Sequence, residues 1–424
     1  MTISERPTSE RPCFVWIWLP TETAPVVAGK LTHTQGRTLF TYGQSYLERR
    51  NAIALYDQEL PLRAGTQESG TEELPGCLRD SAPDAWGRRV ILNKLLGLKG
   101  SNSDTATLDE ITYLLESGSD RIGALDFQAS AAVYVPRLSA GATLEELLHS
   151  ATRVEQGIPL TAELDQALHH GSSIGGARPK TLIDGDGKKY IAKFSSTTDI
   201  YNVIKAEFVA MRLAARCGLD VAPVALTRAA GKDVLLIERF DRVTKGGIWH
   251  RRLILSALTL LGLQEMTARY ASYQDFAEII RHRFTSPRET LRELFSRLVF
   301  NILCSNTDDH ARNHAAFWDG KTLHLTPAYD ICPQLRTGGE ATQAMSINGM
   351  DKSSRLVTCL QAAEHFMLTK QEAAQVIAQV RGGIDQHLLE VCREAELTPV
   401  EQQLFCERLF NNPYAFEGYQ DVLR

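Results

Sequence analysis

The stretch Ser305-Asn306-Thr307-Asp308-Asp309-His310-Ala311-Arg312-Asn313, followed by Leu325-Thr326-Pro327-Ala328-Tyr329-Asp330-Ile331, decides how this chain is read. Asp308 and Asn313 stand five positions apart. One loop with that spacing can present a carboxylate to an attacking hydroxyl and an amide oxygen to a metal ion. Asp330 comes after a strand-like run, Ala315 to Leu325, and offers a second hard oxygen ligand. Singly, such residues are common in capped turns. Their weight comes from what precedes them in the chain.

Upstream, Tyr190-Ile191-Ala192-Lys193 is a strand ending in lysine, close in form to the V-A-I-K strand of protein kinases, and Glu207 on the next helix can orient that lysine. Lysine, glutamate, aspartate, asparagine and aspartate thus follow in the order that kinase-type phosphoryl transfer uses, a reaction that asks for positioned charge and little covalent work. The segment GSSIGGARPKT, Gly171 to Thr181, carries glycines that let backbone amides approach phosphates. It is not a Walker A loop, because Ala177, Arg178 and Pro179 separate Gly176 from Lys180.

The surrounding pattern supplies the frame. KTLIDGDGKKYIAKF, ending at Phe194, predicts a hairpin turning between Asp184 and Gly187. Asn202 to Cys217 reads as a helix ended by Gly218, with Val203, Ala206, Ala210, Leu213 and Cys217 on its apolar face. VLLIERF is a short strand, and after about Trp249 helical patterns dominate, apart from Ala315 to Leu325. Ahead of this, apolar runs from Phe14 to about Ala54 broken by Gly and Pro predict a small mostly-β unit. Trp86, Val90, Leu92 and Leu96 then recur at helical spacing, with Ser81 or Asp84 as cap. Further helices are expected over Asp104 to Glu116 and Leu144 to Gln156, with a β-like AAVYVP between them. The fold class is α+β: a bilobal, protein-kinase-like arrangement of a small β-rich lobe and a large helical lobe, behind an N-terminal mostly-β module. The divisions are a loose N-terminus over 1–12, the β module with its helices over 13–135, linker helices and small lobe over 136–244, and the helical lobe over 245–424.

Bulk properties agree. The 424 residues are 43% hydrophobic and 23% charged, the balance of a folded enzyme of two or three units. A net charge of -5 advertises neither nucleic acid nor an anionic membrane. Eight scattered cysteines without a C-x-x-C pair suit a reducing cytoplasm. The longest apolar stretches, such as Leu253 to Leu263, fall short of the roughly 20 residues a bilayer needs. Acidic residues among the first dozen argue against a transit peptide. A cytoplasmic protein with no membrane partner is expected.

At its motifs the chain resembles the HipA family of serine/threonine kinase toxins. SSIGGARPK looks like that family's S-[IV]-x-G-[AG]-x-x-K loop, ERFDR like its hinge, NTDDHARN like its catalytic loop and LTPAYDI like its magnesium loop; PDAWGRR and the β module also fit. The resemblance implies ATP and Mg2+ as cofactors and gives the residues roles. Lys193 would bind the α- and β-phosphates and Glu207 would steady it. Backbone groups of Glu238 and Phe240 would hold adenine. The loop Ser173, Ile174, Gly175, Gly176 and Ala177 would line the nucleotide, with His310 and Arg312. Asp308 would face the substrate hydroxyl, with Asn313 and Asp330 on magnesium. Ser173, or Ser172 beside it, matches the family's autophosphorylation site, where added negative charge would push the loop from the ATP phosphates and switch the enzyme off. The resemblance also implies a HipB-like helix-turn-helix antitoxin as partner, DNA contact mainly through it, and inhibition of translation by phosphorylating a cytoplasmic protein such as an aminoacyl-tRNA synthetase.

Two rivals stay open: a small-molecule kinase, since aminoglycoside kinases use similar parts, and a catalytically silent module that shapes an antitoxin–DNA complex. Asp309, His310 and His314 invite a metal-site reading, but H-E-x-x-H is absent and the kinase reading accounts for the neighbourhood, with His310 bracing the catalytic loop. Gly171 to Gly175 spells G-x-S-x-G, but no Ser, His and Asp arrangement can be assembled from sequence order, so hydrolase chemistry has no support.

Overall fold

The computed structural model describes residues 11–34, 37–68, 74–96, 108–138, 143–156, 158, 178–196, 199–336 and 338–419. The Gly-rich segment 171–177, with Ser172, Ser173, Ile174, Gly175, Gly176 and Ala177, lies outside them.

Strands β1 (Cys13–Ile17), β2 (Val26–Thr34), β3 (Arg37–Tyr42), β4 (Thr66–Glu68) and β5 (Leu125–Gln128) form an antiparallel sheet in the order β4-β3-β2-β1-β5. Cys13, Val15 and Ile17 point into the core at the period of two that a half-buried strand requires. Gly29 on β2 sits where a Cβ would lie 2.3 Å from the Thr41 carbonyl oxygen, so only glycine lets β2 and β3 close up. The expected AAVYVP strand is absent: Val133 and Val135 are exposed, while Tyr134 packs on Trp16 and Trp18. The reason is that Arg137 donates to the Phe127 carbonyl at 2.8 Å, so a side chain occupies the edge of β5 where a further strand would pair.

The second sheet, ordered β6-β7-β9-β8, holds β6 (Lys180–Gly185), β7 (Lys188–Phe194), β8 (Val224–Ala229) and β9 (Lys232–Glu238). Asp186 and Gly187 both take positive φ, the two-residue turn expected of an Asp-Gly hairpin. Helices Ala85–Leu96 and Leu144–Glu155 cover one face of this sheet through Trp86, Val90, Leu147 and Val154. Asp84 caps the first of them, accepting from Gly87 N at 2.9 Å. The helix expected over Asp104 to Glu116 starts later, at Glu110, and runs to Glu116, because Asp109 caps it by accepting from Thr112 N; residues 104–107 lie outside the described residues. Helix Val203–Arg216 starts at the Asn202 cap and stops at Gly218, whose φ is +88°. It packs on the long helix Lys370–Glu394, where a Cβ on Gly383 would stand 2.7 Å from Cys217 Sγ.

β10 (Arg242–Lys245) pairs with β11 (Ile248–Arg251), and from Trp249 to Ser256 the helical expectation gives way to strand: β12 (Leu253–Ser256) pairs with β13 (Ala315–Trp318), itself paired with β14 (Leu323–Leu325) in the segment expected to be strand-like. A short, fully buried apolar run carries no alternation, so periodicity cannot separate strand from helix there. Residue 244 lies inside β10. Helices Tyr273–Arg283, Pro287–Leu303, Leu356–Gln361 and Pro399–Leu404 join Lys370–Glu394 in the large lobe. One apolar core runs from the N-terminal sheet through helix Val203–Arg216 into this lobe, and Trp318 Nε1 donates to the Ala54 carbonyl across it at 2.9 Å. Among the described residues, no helix is long and apolar enough to cross a membrane.

Candidate active site

Lys193 lies near the end of β7, and Glu207 in the second turn of the following helix brings Oε1 to 2.6 Å from Lys193 Nζ. The same ammonium also contacts Asp330 Oδ1. Burial alone would lower the Lys193 pKa, but the Asp330 and Glu207 carboxylates outweigh it and hold it above its ordinary value. Asp330 is held far below the carboxylate range, because Lys193 and then Lys180 overcome the effect of its burial. Exposure separates the two acids. Glu207 is 1% exposed, sealed beneath the lysine as an orienting group, whereas Asp330 is 40% exposed and open to a ligand. Asp330 also takes a φ of +58°, a costly conformation for a residue with a side chain and one that clusters at functional sites.

The loop from Thr307 to Asn313 is fastened from inside. Asn313 Nδ2 donates to the Asp308 carbonyl at 3.1 Å, and Asn313 N to the His310 carbonyl at 2.8 Å. Tyr329 Oη donates to the Arg312 carbonyl at 2.6 Å, which ties the residue before Asn313 to the residue before Asp330. Asp308 is exposed, while its neighbour Asp309 is buried and accepts from Tyr273 Oη and from His314 Nε2, the latter at 2.9 Å. The brace of this loop is therefore His314 with Tyr273. His310 is half-buried, and its Nδ1 has no hydrogen-bond partner among the described residues. The Arg312 guanidinium pairs with Glu265 at 2.8 Å. Among the described residues, no three His, Cys, Asp or Glu side chains are placed to hold a metal ion.

Glu238 ends β9, and its amide donates to the Pro223 carbonyl at 2.9 Å, so any adenine contact there must use the Glu238 carbonyl. Phe240 packs against Phe317 and Tyr329. The residues flanking Phe240 are locked to the N-terminal module by buried ions. Arg239 reaches Asp120 at 3.1 Å and the Arg121 carbonyl at 2.7 Å; Arg242 reaches Asp120 at 2.7 Å and the Gly123 carbonyl at 2.8 Å; Gly123 N donates to Asp241 at 2.8 Å. Burial would raise the Asp120 pKa, but Arg239 and Arg242 hold it well below the usual range. None of these long-range pairs has a periodic signal, although ERFDR itself marked the place.

The donor set suits a hard cation. Asn313 and Asp330 offer an amide and a carboxylate oxygen from two loops held side by side by the Tyr329 bond, and magnesium prefers such ligands while keeping several waters. An arrangement of this kind, an orienting ion pair in a small β lobe facing an Asp and Asn loop on a large helical lobe, belongs to the protein-kinase-like α+β class. Within that class the chain belongs to the HipA family: residues 172–388 match the HipA-like C-terminal domain and 21–128 the HipA N-terminal domain. It is 28% identical over 339 residues to Y4mE of Sinorhizobium fredii, named as a candidate kinase, covering 72% of this chain and 74% of that protein. It is 25% identical over 183 residues to the serine/threonine-protein kinase toxin HipA of Shewanella oneidensis, covering 38% of this chain and 42% of the relative. The fold matches HipA in the Shewanella oneidensis complex of HipA, HipB and operator DNA, with a TM-score of 0.64, 18% identity, and 90% and 92% of the two chains covered.

Proposed function

We propose that this chain is an ATP- and Mg2+-dependent serine/threonine protein kinase, the toxin of a HipBA-like toxin–antitoxin pair. The observation that carries the reading is Lys193 Nζ held between a sealed Glu207 and an open Asp330, beside a loop that exposes Asp308 and buries Asp309. In the mechanism Lys193 grips the nucleotide phosphates and Glu207 keeps it from swinging away. Asp308 orients the acceptor hydroxyl and takes its proton as the oxygen bonds to the γ-phosphorus and ADP departs. Asn313 and Asp330 would hold magnesium, which when bound neutralises charge on the phosphates. The buried trio Tyr273, Asp309 and His314 keeps Asp308 facing out. The toxin role, a HipB-like antitoxin that brings operator DNA, and an aminoacyl-tRNA synthetase as substrate rest on family membership, as does autophosphorylation at Ser173 or Ser172.

The test is transfer from γ-labelled ATP to cytoplasmic proteins, with and without a panel of small acceptor alcohols and amines, and mapping of every labelled residue. Label on protein serine or threonine, lost in Lys193→Met, is expected. Label confined to small acceptors would assign a small-molecule kinase, and nucleotide binding without transfer a silent module.

A further inference from the structure

Resting on the kinase reading, we propose that Asp84 of the N-terminal domain is a positioning residue for the nucleotide, holding Lys180 beside Lys193 so that two cations meet the triphosphate.

Lys180 opens β6 and stands directly opposite Lys193 on β7. Cross-strand partners share a face, with Cβ atoms about 5 Å apart, and like charges so placed repel. Both lysines are buried, which adds a desolvation cost to that repulsion. Glu207 and Asp330 answer Lys193, and Asp84 Oδ2 lies 3.5 Å from Lys180 Nζ. Asp84 cannot follow the lysine if it swings, because its surroundings are pinned. Its Oδ1 caps helix Ala85–Leu96 through Gly87 N, and Trp86 beside it is 1% exposed. Asp80 accepts from Ser256 N at 2.6 Å and from Ser256 Oγ at 2.7 Å, and Glu59 accepts from the amides of Gly76 and Cys77. The N-terminal domain thus presents a fixed carboxylate to Lys180 at the first position of β6.

Asp84→Asn is the informative change, since asparagine caps a helix as well as aspartate does and removes only the charge. Calorimetric titration of the full chain with a non-hydrolysable ATP analogue plus Mg2+, and separately with adenosine, reads the effect. Triphosphate affinity should fall about tenfold, the size of a coupling within one charge network. Adenosine affinity should stay at the wild-type value, the melting temperature should fall by several degrees because Lys180 keeps its buried charge without the Asp84 counter-charge, and Asp84→Glu should recover part of both losses. Combined with Lys180→Met, Asp84→Asn should add nothing. Unchanged or tighter triphosphate binding in Asp84→Asn, equal weakening toward adenosine and triphosphate, or additive losses in the double variant would each overturn the proposal. A wild-type chain that binds neither ligand would overturn the kinase reading beneath it.

Discussion

Replacing Asp309 by alanine strikes the support of the catalytic loop without touching the nucleotide contacts. The carboxylate accepts from Tyr273 Oη and His314 Nε2 in a site where Asp309 and His314 are each 2% exposed. Two buried donors lose their acceptor, each at about 1–3 kcal/mol, so the substitution costs about 2–6 kcal/mol. Against an ordinary stability of about 5–15 kcal/mol, a chain in the middle of that range or above stays folded and melts several degrees lower. Asp308 precedes the lost anchor directly, and a displacement of about 1 Å at a reacting group costs about 100-fold in rate. Circular dichroism melting and steady-state phosphate transfer measure the two effects, with ATP affinity expected to remain, since Lys193, Glu207 and Asp330 stand on other elements. A double-mutant cycle with Tyr273→Phe should show the pair to be non-additive. Wild-type melting and turnover in Asp309→Ala would refute the reasoning.

Further outcomes follow from single features. Glu207→Gln removes the sealed partner of Lys193, and transfer should drop about 100-fold with little change in melting; full activity would show that Lys193 needs no orienting acid. Gly29→Ala forces a Cβ to 2.3 Å from the Thr41 carbonyl and should destabilise the N-terminal sheet by about 1–3 kcal/mol, read as a lower denaturation midpoint; an unchanged midpoint would mean that β2 and β3 separate freely. Asp120, Asp126, Asp241 and Asp330 titrate lower in the fold than in the unfolded chain. Their stabilisation is therefore complete above about pH 5 and is lost as pH falls below the unfolded value near 4. Melting temperatures taken from pH 7 downward should hold and then fall, less steeply in Asp120→Asn; identical acid slopes would exclude Asp120 as a contributor.

What the sequence made legible was local. The Asp-Gly turn, the Gly218 stop and a cap at Ser81 or Asp84, which the structure places at Asp84, each depend on a few adjacent residues, while Asn202, read as the first helical residue, is the cap. Asp308, Asn313, Asp330, Lys193 and Glu207 were visible because their spacing and order follow one chemistry. The groups that hold them were hidden. Asp84 finds Lys180 across 96 positions and Arg242 finds Asp120 across 122, and no periodic pattern records such pairs. Leu253–Ser256 looked helical because a buried strand lacks alternation, and AAVYVP looked like a strand because nothing local foretells that Arg137 takes the β5 edge.

The central claim, that Asp308 faces an acceptor hydroxyl over a nucleotide gripped by Lys193 and Asp330, is tested most directly by comparing binding with transfer in one variant. In Asp308→Asn, affinity for Mg2+ and ATP should match wild type while transfer of labelled phosphate falls at least about 100-fold. Transfer at the wild-type rate, with binding intact, would contradict it.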